Sequence, residues 1–418
     1  MRKTVLALIS FALVATFSSC DKDEVIASDK QKYAYESFDY GFARGGVTLV
    51  GDYLYIGTSS AGSDVGVAAN YFFKFDKQLK VVWQYSLGRY EVMGNASLDT
   101  NGNIYFIADT IPTIANTWVS NNFKLYSLDN NGNFRWSKSL GWGQRDEDGS
   151  KNIAISADNS IYAGVTNLSA FDTDGNIRWT YANTRNHISA PIIDPTGNIY
   201  FASEGVAISL DASGNERWRK AAYGKTLAFT TDYSHVIAAD ATVTSIATST
   251  GAISWKYTIP NVAIDAFWYA SPVVDDNNNI YFGNNTTLYA VKADGSGLIW
   301  QFNMGSGMTT PTLGSNRILY ICGSYGSNTG NKNNRFHAFD MSSGKLLWSA
   351  QLTKDVSCSA PVLAVGGMVY VNTMYVSELN NIKRPAGIFA IQTESTAGLL
   401  PNCGSPTFQG SNAHTGRR

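Results

Sequence analysis

The sequence predicts an all-β fold, and two repeated patterns predict it. An apolar strand followed by a turn and a Trp recurs along the chain, as in LYSLDNNGNFRW and FHAFDMSSGKLLW. A second apolar strand, as in NIYFI or NIYFA, recurs with the same period. The Gly, Asn and Asp residues between strands supply the positive φ angles that tight hairpins need. Each unit therefore reads as an antiparallel meander.

The number of units follows from these two elements. The first ends in Trp in seven copies, whose mean spacing is about 44 residues, and an eighth copy, GIFAIQTESTAGLL, lacks the Trp. The second element occurs eight times, and a further short apolar strand precedes it, so each unit has four strands, A to D. Radial repetition of four-stranded meanders protects sheet edges. The prediction is an eight-bladed β-propeller of four-stranded antiparallel blades.

In five units strand C is followed by a Gly and then by a Trp four residues after that Gly. This pattern resembles the tryptophan-docking motif of the PQQ-like (pyrroloquinoline quinone repeat) propeller family, and the resemblance covers roughly residues 45–400. The matching pairs are Gly132 and Trp136, Gly175 and Trp179, Gly214 and Trp218, Gly251 and Trp255, and Gly344 and Trp348. The resemblance implies that the series of seven indoles joins neighbouring blades: Trp83, Trp136, Trp179, Trp218, Trp255, Trp300 and Trp348. Because the eighth unit lacks this Trp, we expect residues 32–40 to supply or extend its outer strand.

The N-terminus has a basic start, an apolar run over residues 5–17, and Ser18, Ser19 and Cys20, which is the layout of a secretory signal. Small residues before Cys20 resemble the lipobox of bacterial lipoproteins; the alternative is an ordinary cleaved signal with an incidental Cys. The acidic residues 21–24 resemble a surface-export signal of some Gram-negative phyla. We therefore expect a signal peptide over 1–19, a lipid-anchored tether over 20–36, the propeller over 37–404 and a tail over 405–418.

Charge and cysteine content exclude several classes of protein. Without the signal peptide, which holds two of the 32 basic residues, 30 Lys and Arg face 33 Asp and Glu, and no basic run exists, so nucleic acid is not an expected partner. Cys322, Cys358 and Cys403 have no zinc or redox spacing, and one disulfide between two of them would leave one free thiol.

Catalytic motifs are missing from the sequence. It has no G-x-S-x-G elbow, no phosphate loop and no His pair with metal-ligand spacing, and its Asp-rich turns lack the longer ligand series of a calcium-binding EF-hand. The quinoprotein dehydrogenases of the PQQ-like family hold their cofactor with stacked aromatic residues, a calcium ion and often adjacent cysteines, and no adjacent cysteines occur here. We expect no catalytic residues, no metal and no cofactor, with a quinoprotein-type dehydrogenase as an alternative.

Loop lengths indicate where a partner binds. The connections from strand B to strand C are long in units 1, 2, 7 and 8, at residues 57–70, 109–121, 323–334 and 373–386. These units become neighbours when the ring closes, so the loops would form one wall on one face. Aromatic residues outside the docking series are expected on that face and are candidate binding residues, although they could simply pack their own loops: Trp118, Trp142, Trp268, Tyr325 and Tyr375.

These features predict a monomeric, non-catalytic binding or scaffold propeller displayed from the outer membrane of a Gram-negative bacterium, on its periplasmic or surface side. A protein partner would contact the loop-rich face of blades 7, 8, 1 and 2, and only the lipid anchor would contact the membrane. A glycan-binding surface lipoprotein is the alternative. The build is similar to the general type of the propeller lipoprotein of the Bam outer-membrane-assembly complex.

Overall fold

A computed structural model of the chain describes residues 30–37, 41–42, 46–59, 70–110, 119–144, 151–185, 187–224, 226–260, 262, 269–284, 286–305, 307–324, 333–354, 359–373, 377–379, 382–384 and 386–417. These residues form eight antiparallel sheets of four principal strands, which confirms the predicted eight-bladed propeller.

The first four blades follow one another along the chain, after a strand β1 (Gln31–Ser37) that belongs to the last blade. Blades 1 and 2 each carry one additional short strand, β2 and β7. The strands are β2 (Gly41–Phe42), β3 (Thr48–Val50), β4 (Tyr53–Ser59), β5 (Asn70–Asp76) and β6 (Val81–Gly88) in blade 1; β7 (Tyr90–Val92), β8 (Ser97–Leu98), β9 (Ile104–Thr110), β10 (Val119–Leu128) and β11 (Phe134–Gln144) in blade 2; β12 (Ala154–Ile155), β13 (Ile161–Gly164), β14 (Leu168–Phe171) and β15 (Ile177–Tyr181) in blade 3; and β16 (Ile192–Ile193), β17 (Ile199–Ser203), β18 (Val206–Leu210) and β19 (Glu216–Ala221) in blade 4.

The remaining blades use the same strand order, and a 3-10 helix, η1 (Phe408–Gly410), follows them. The strands are β20 (Leu227–Phe229), β21 (His235–Ala238), β22 (Thr242–Ala247) and β23 (Ile253–Thr258) in blade 5; β24 (Tyr269–Val274), β25 (Ile280–Asn284), β26 (Thr287–Val291) and β27 (Leu298–Asn303) in blade 6; β28 (Thr312–Leu313), β29 (Ile318–Ser324), β30 (Asn333–Asp340) and β31 (Leu346–Lys354) in blade 7; and β32 (Val362–Leu363), β33 (Met368–Asn372), a separate hairpin of β34 (Ser377–Leu379) and β35 (Ile382–Arg384), and β36 (Ala386–Gln392) in blade 8.

The ring closes through the N-terminal strand. β1 pairs antiparallel with β36 from Gln31 opposite Ile391 to Ser37 opposite Ala386, and so becomes the outer strand of blade 8. The closing strand expected at residues 32–40 is therefore present and begins at residue 31. Residues 31–36, which the sequence-based division placed in the tether, belong to the propeller.

The core is divided between the blades. Eight clusters of buried apolar side chains each lie between two neighbouring sheets, including one between blades 8 and 1. Strand B carries a buried Tyr at the same register in every blade except blade 5, which has Ile237. Several of these hydroxyls donate to the Asp of the preceding turn, as Tyr200 does to Asp194 at 2.8 Å. These bonds fix the A-to-B hairpins to the strands that follow them.

The docking indoles connect each blade to the next. The Trp218 indole, in blade 4, donates its N–H to the Thr248 carbonyl of blade 5 at 2.8 Å. A Cβ placed on Gly251 would lie 2.7 Å from that ring, so the turn glycine both adopts a positive φ of 69° and leaves room for the indole. Trp83, Trp136, Trp179 and Trp300 donate to the next blade in the same way.

Two departures from this pattern lie beside blade 8. Trp348, in blade 7, donates to the Glu394 carboxylate at 3.3 Å. Blade 8 has no Trp to offer blade 1, and Tyr35 of β1 packs edge-on against Phe75 instead, with ring centroids 5.0 Å apart. Tyr370 adds a hydrogen bond to the Lys77 carbonyl at 3.0 Å. Aromatic packing and one hydroxyl therefore replace the missing indole.

Candidate functional site

The two ends of the ring differ in their connections. A-to-B and C-to-D hairpins emerge at one end, which we call the hairpin face, and B-to-C and D-to-A connections emerge at the other, which we call the loop face. In blades 3 to 6 the B-to-C connections have only two or three residues. In blades 1, 2 and 7 the corresponding strands are separated by residues 60–69, 111–118 and 325–332, and in blade 8 by a segment containing the hairpin of β34 and β35.

Additional strands thicken the loop face of blades 1 and 2. β2 pairs with the last two residues of β4, and β7 pairs with the last three residues of β9. β10 and β11 are 10 and 11 residues long, whereas the C and D strands of blades 3 to 6 have four to six. The strand ladders of blades 1 and 2 therefore extend further at the loop face than those of blades 3 to 6.

Trp142 lies at this extended end. The repeat pattern alone would end the last strand of blade 2 before Trp142 and leave it in the connection to blade 3. β11 instead continues through it, because Gln144 and Gly143 still pair with Val119 and Ser120. Its side chain is 46% exposed. Its carbonyl accepts a hydrogen bond from the Thr166 hydroxyl of blade 3 at 3.0 Å. The backbone is thus fixed while the indole faces solvent.

The other residues singled out in the sequence include two buried cysteines and six residues outside the described parts of the chain. Cys20, Trp118, Trp268, Tyr325, Tyr375 and Cys358 lie outside the described residues. Cys322 and Cys403 are both buried.

Buried polar side chains lie beneath the loop face, and the sequence analysis missed them. Asp109, at the end of β9, is fully buried, and Asp240 accepts a hydrogen bond from the Asn284 amide of the next blade at 3.1 Å. Lys151 and Asn95, at the starts of two A strands, are almost completely buried. Charged residues at the ends of apolar strand patterns were the signal in the sequence. Such groups are costly to bury unless they have hydrogen-bonding partners.

At the hairpin face, the channel is filled by the C-terminal residues 404–417, which we call the channel segment. It follows the inner strands in blade order, and every blade donates one hydrogen bond to it. The donors are the Phe229 N–H to Ser405 Oγ, Val274 N–H to Ser405 O, Leu313 N–H to Pro406 O, Leu363 N–H to Asn412 Oδ1, Leu49 N–H to Asn412 O, Ser97 Oγ–H to His414 O, Ile155 N–H to Thr415 O and Ile193 N–H to Gly416 O, at 2.6–3.2 Å.

The channel segment is also anchored through its own side chains. The Gln409 amide donates to the carbonyls of Ile153 and Pro191, at 3.0 and 3.2 Å. The fully buried His414 lies with Nε2 3.0 Å from the Val47 carbonyl, and this burial lowers the pKa of His414 to about 4. The tail expected at 405–418 is thus an integral part of the ring along its described length.

Within the described residues no group of three His, Cys, Asp or Glu side chains converges as metal ligands would. Nor is any helix in this part of the chain long and apolar enough to span a membrane.

Comparison with known proteins agrees with this architecture. The family model described as outer membrane protein assembly factor BamB matches residues 37–257, 121–321 and 284–392 in three overlapping segments. No curated protein matches the chain.

Solved structures with similar folds include BamB from Moraxella catarrhalis, at 17% identity and a TM-score of 0.47 over 70% of this chain and 96% of that one. The computationally designed Ika8 protein matches at 13% identity and a TM-score of 0.61, over 87% and 100% of the two chains. The quinohemoprotein alcohol dehydrogenase ADHIIG from Pseudomonas putida HK5 matches at 12% identity and 0.60, over 88% and 77%. At these identities the latter two show the fold alone.

Because the family model covers most of the chain and the structure is an eight-bladed propeller with tryptophan docking, this chain belongs to the PQQ-like propeller family described as outer membrane protein assembly factor BamB.

Proposed function

We propose that this chain is a non-catalytic scaffold, anchored to the outer membrane through an acylated Cys20, that binds a protein partner with the loop face of blades 7, 8, 1 and 2. The observation that carries the proposal is the asymmetry of the ring. Long B-to-C connections, additional strands and extended ladders occur on neighbouring blades at the loop face, whereas the B-to-C connections of blades 3 to 6 have only two or three residues.

The family supports a scaffold role and the outer-membrane location, because its description names an outer membrane protein assembly factor. The exposed Trp142 on the extended edge of blade 2 suits a protein interface, where aromatic anchors carry much of the binding energy. Trp118, Tyr325 and Tyr375 belong to the long connections of the same blades, and Trp268 to a connection on blade 6. We propose all five as contact residues.

The residues present do not fit a quinone cofactor. The sequence has no adjacent cysteines, and no acidic cluster for calcium converges within the described parts of the chain. The channel segment occupies the hairpin-face half of the channel through hydrogen bonds to all eight blades. We therefore propose that the protein uses no quinone and is not an enzyme. A quinone absorption band after reconstitution with quinone and calcium would contradict this.

Site-specific photo-crosslinking in the membrane tests the interface. A photoreactive phenylalanine analogue replaces Trp142, and the matched control replaces Tyr223. Both positions are on the loop face with similar exposure, 46% and 49%, but Tyr223 follows the last strand of blade 4, outside the proposed wall. We expect a discrete protein adduct from position 142 and none from 223. Equal adducts, or adducts from 223 alone, would contradict the proposed face.

A glycan ligand is the second candidate, and the solvent-facing indole of Trp142 is the observation that favours it. A glycan array probed with the mature protein separates the two. Binding to one glycan class that Trp142→Ala abolishes, without any protein adduct from position 142, would replace the scaffold proposal.

A further inference from the structure

The direction of the closing strand determines where the membrane tether joins the propeller. β36 is a C strand and runs from the loop face to the hairpin face. β1 pairs with it antiparallel, so β1 starts at the hairpin face, where Gln31 lies opposite Ile391. Lys30 is held at that end by an ion pair with Glu394 at 2.5 Å. The chain therefore enters the propeller at the hairpin face, beside blade 8.

The tether that remains is short. Nine residues separate Cys20 from Lys30. A fully extended chain spans at most about 3.6 Å per residue, so Lys30 lies within roughly 35 Å of an acylated Cys20. The hairpin face is attached directly to this tether, whereas the loop face lies on the far side of the ring.

Exposed apolar side chains lie at the same end of the molecule. Of the eleven exposed large hydrophobic residues in the described chain, only Trp142 and Tyr223 lie at the loop face. The other nine begin strands or occupy turns at the hairpin end: Tyr33, Tyr53, Val81, Val82, Phe134, Ile177, Ile253, Ile299 and Val365. Most of these nine are single exposed residues spread around the ring, which need no explanation.

The part of this set nearest the tether lies on blades 8 and 1. Tyr33 belongs to β1, Tyr53 begins β4, and Val81 and Val82 begin β6, immediately after the turn at residues 77–80. Val365, in the A-to-B hairpin of blade 8, is 79% exposed. We call these five residues the tether rim.

The charges of the turns follow the same division. The C-to-D turns of blades 1 and 7 contain Lys77, Lys80 and Lys345 beside Asp76 and Asp340, and Lys30 lies beside blade 8. Lys77 and Lys30 also form ion pairs with Asp52 and Glu394. The corresponding turns of blades 2, 3 and 4 carry only acidic charges, as at Asp129. Lysines are attracted to anionic lipid headgroups and aspartates are repelled, so the lysine-bearing half of the hairpin face suits a lipid surface.

We propose that the tether rim rests on the lipid surface that holds the Cys20 anchor, so that the loop face points away from the membrane. The proposal departs from the anchor-only membrane contact expected from the sequence, and it rests on the lipid anchor of the proposed function. Apolar side chains at the headgroup boundary and lysines beside them form the usual pattern of an interfacial contact. A partner of the loop face must then present a domain outside the bilayer.

Fluorescence quenching by brominated lipids tests this orientation. The acylated full-length protein is placed in vesicles of phosphatidylethanolamine and phosphatidylglycerol, with a fluorescent amino acid replacing Val82 or Val365. Matched controls carry it in place of Tyr223, on the loop face, or Ile253, on the hairpin face of blade 5. We expect strong quenching and a blue shift at positions 82 and 365, weaker quenching at 253, and none at 223.

Two results would overturn the proposal. One is quenching at 223 equal to that at 82, which would mean that the propeller has no fixed orientation. The other is no quenching at 82 and 365 in protein that still floats with the vesicles, which would mean that only the anchor touches the membrane.

Failure of the anchor itself is distinguished by mass spectrometry of the N-terminal peptide. If Cys20 is not acylated, the anchor proposal fails. A Cys20→Ala variant with an N-terminal histidine tag on nickel-chelating lipid then tests the orientation separately, with the same expected order of quenching.

Discussion

Removal of the channel segment should destabilise the whole ring, because this segment contacts all eight blades. The perturbation is truncation after Cys403. It removes the acceptors of seven inner-strand N–H groups and of the Ser97 hydroxyl. The inner edge of every A strand would then face an open channel.

The magnitude follows from these hydrogen bonds. Water entering the vacated channel can solvate the freed N–H groups, so the net value of about 1 kcal/mol per hydrogen bond applies, rather than the full desolvation cost. The seven hydrogen bonds from backbone N–H groups give a loss of about 7 kcal/mol in the free energy of unfolding. At roughly 2 cal/mol/K per residue, the entropy of unfolding of a ring this large is about 0.8 kcal/mol/K. The melting temperature should therefore fall by about 9 °C.

The assay is thermal unfolding followed by circular dichroism, with a control that lacks only Arg417 and Arg418 and so keeps all eight contacts. If the truncated chain does not fold, Ser405→Ala replaces it. This variant loses the hydroxyl acceptor of the Phe229 N–H but keeps the backbone bond to Val274, and should cost about 1 kcal/mol. A truncated chain that melts within about 2 °C of the control would refute the reasoning.

Three further predictions concern side chains whose roles differ. Trp218→Ala removes a buried docking indole and should lower the free energy of unfolding by about 3–5 kcal/mol, as measured by urea denaturation. Trp142→Ala removes an exposed indole and should change the same free energy by no more than about 0.5 kcal/mol. Gly214→Ala should lower the free energy of unfolding by at least about 1 kcal/mol, because Gly214 has a φ of 85° and the added Cβ would lie 2.6 Å from the Trp179 ring. No change in the same assay would show that the indole can shift. Burial lowers the pKa of His414 to about 4, below the value of about 6.5 in the unfolded chain. The contribution of the neutral imidazole to stability is therefore complete above about pH 6.5 and is lost as the pH falls towards 4. At pH 5 the loss in the free energy of unfolding should be about 2 kcal/mol. His414→Asn, which tolerates the positive φ of 49°, should reduce the fall in melting temperature between pH 7 and pH 5, and an unchanged fall would assign the pH dependence to other groups.

The sequence was sufficient to predict the four-stranded repeat, because the interactions that define a blade are local. Strand alternation, Gly and Asn in the hairpins and the Gly-to-Trp spacing all lie within one unit, and each indole needs only the turn of the next unit as its partner. The closing strand was also predictable, because alternating aromatic residues such as Tyr35 had no other sheet to join.

The limits of the extended strands were harder to predict. A strand that continues past the common core of the blades, as β11 does through Trp142, depends on its partner strand extending equally far. That is a property of the pair, and neither strand shows it alone.

The sequence by itself determined the fold, the blade count and the half of the ring that bears long connections, because each is expressed as a period or a length along the chain. The tertiary structure alone decided the place of the C-terminal residues and the direction in which the tether leaves the ring. Residues such as Ser405 and Asn412 are ordinary polar residues in sequence, and they acquire a role only because ring closure brings eight unpaired inner edges around them. Such long-range pairing has no period, and so no pattern in the sequence could show it.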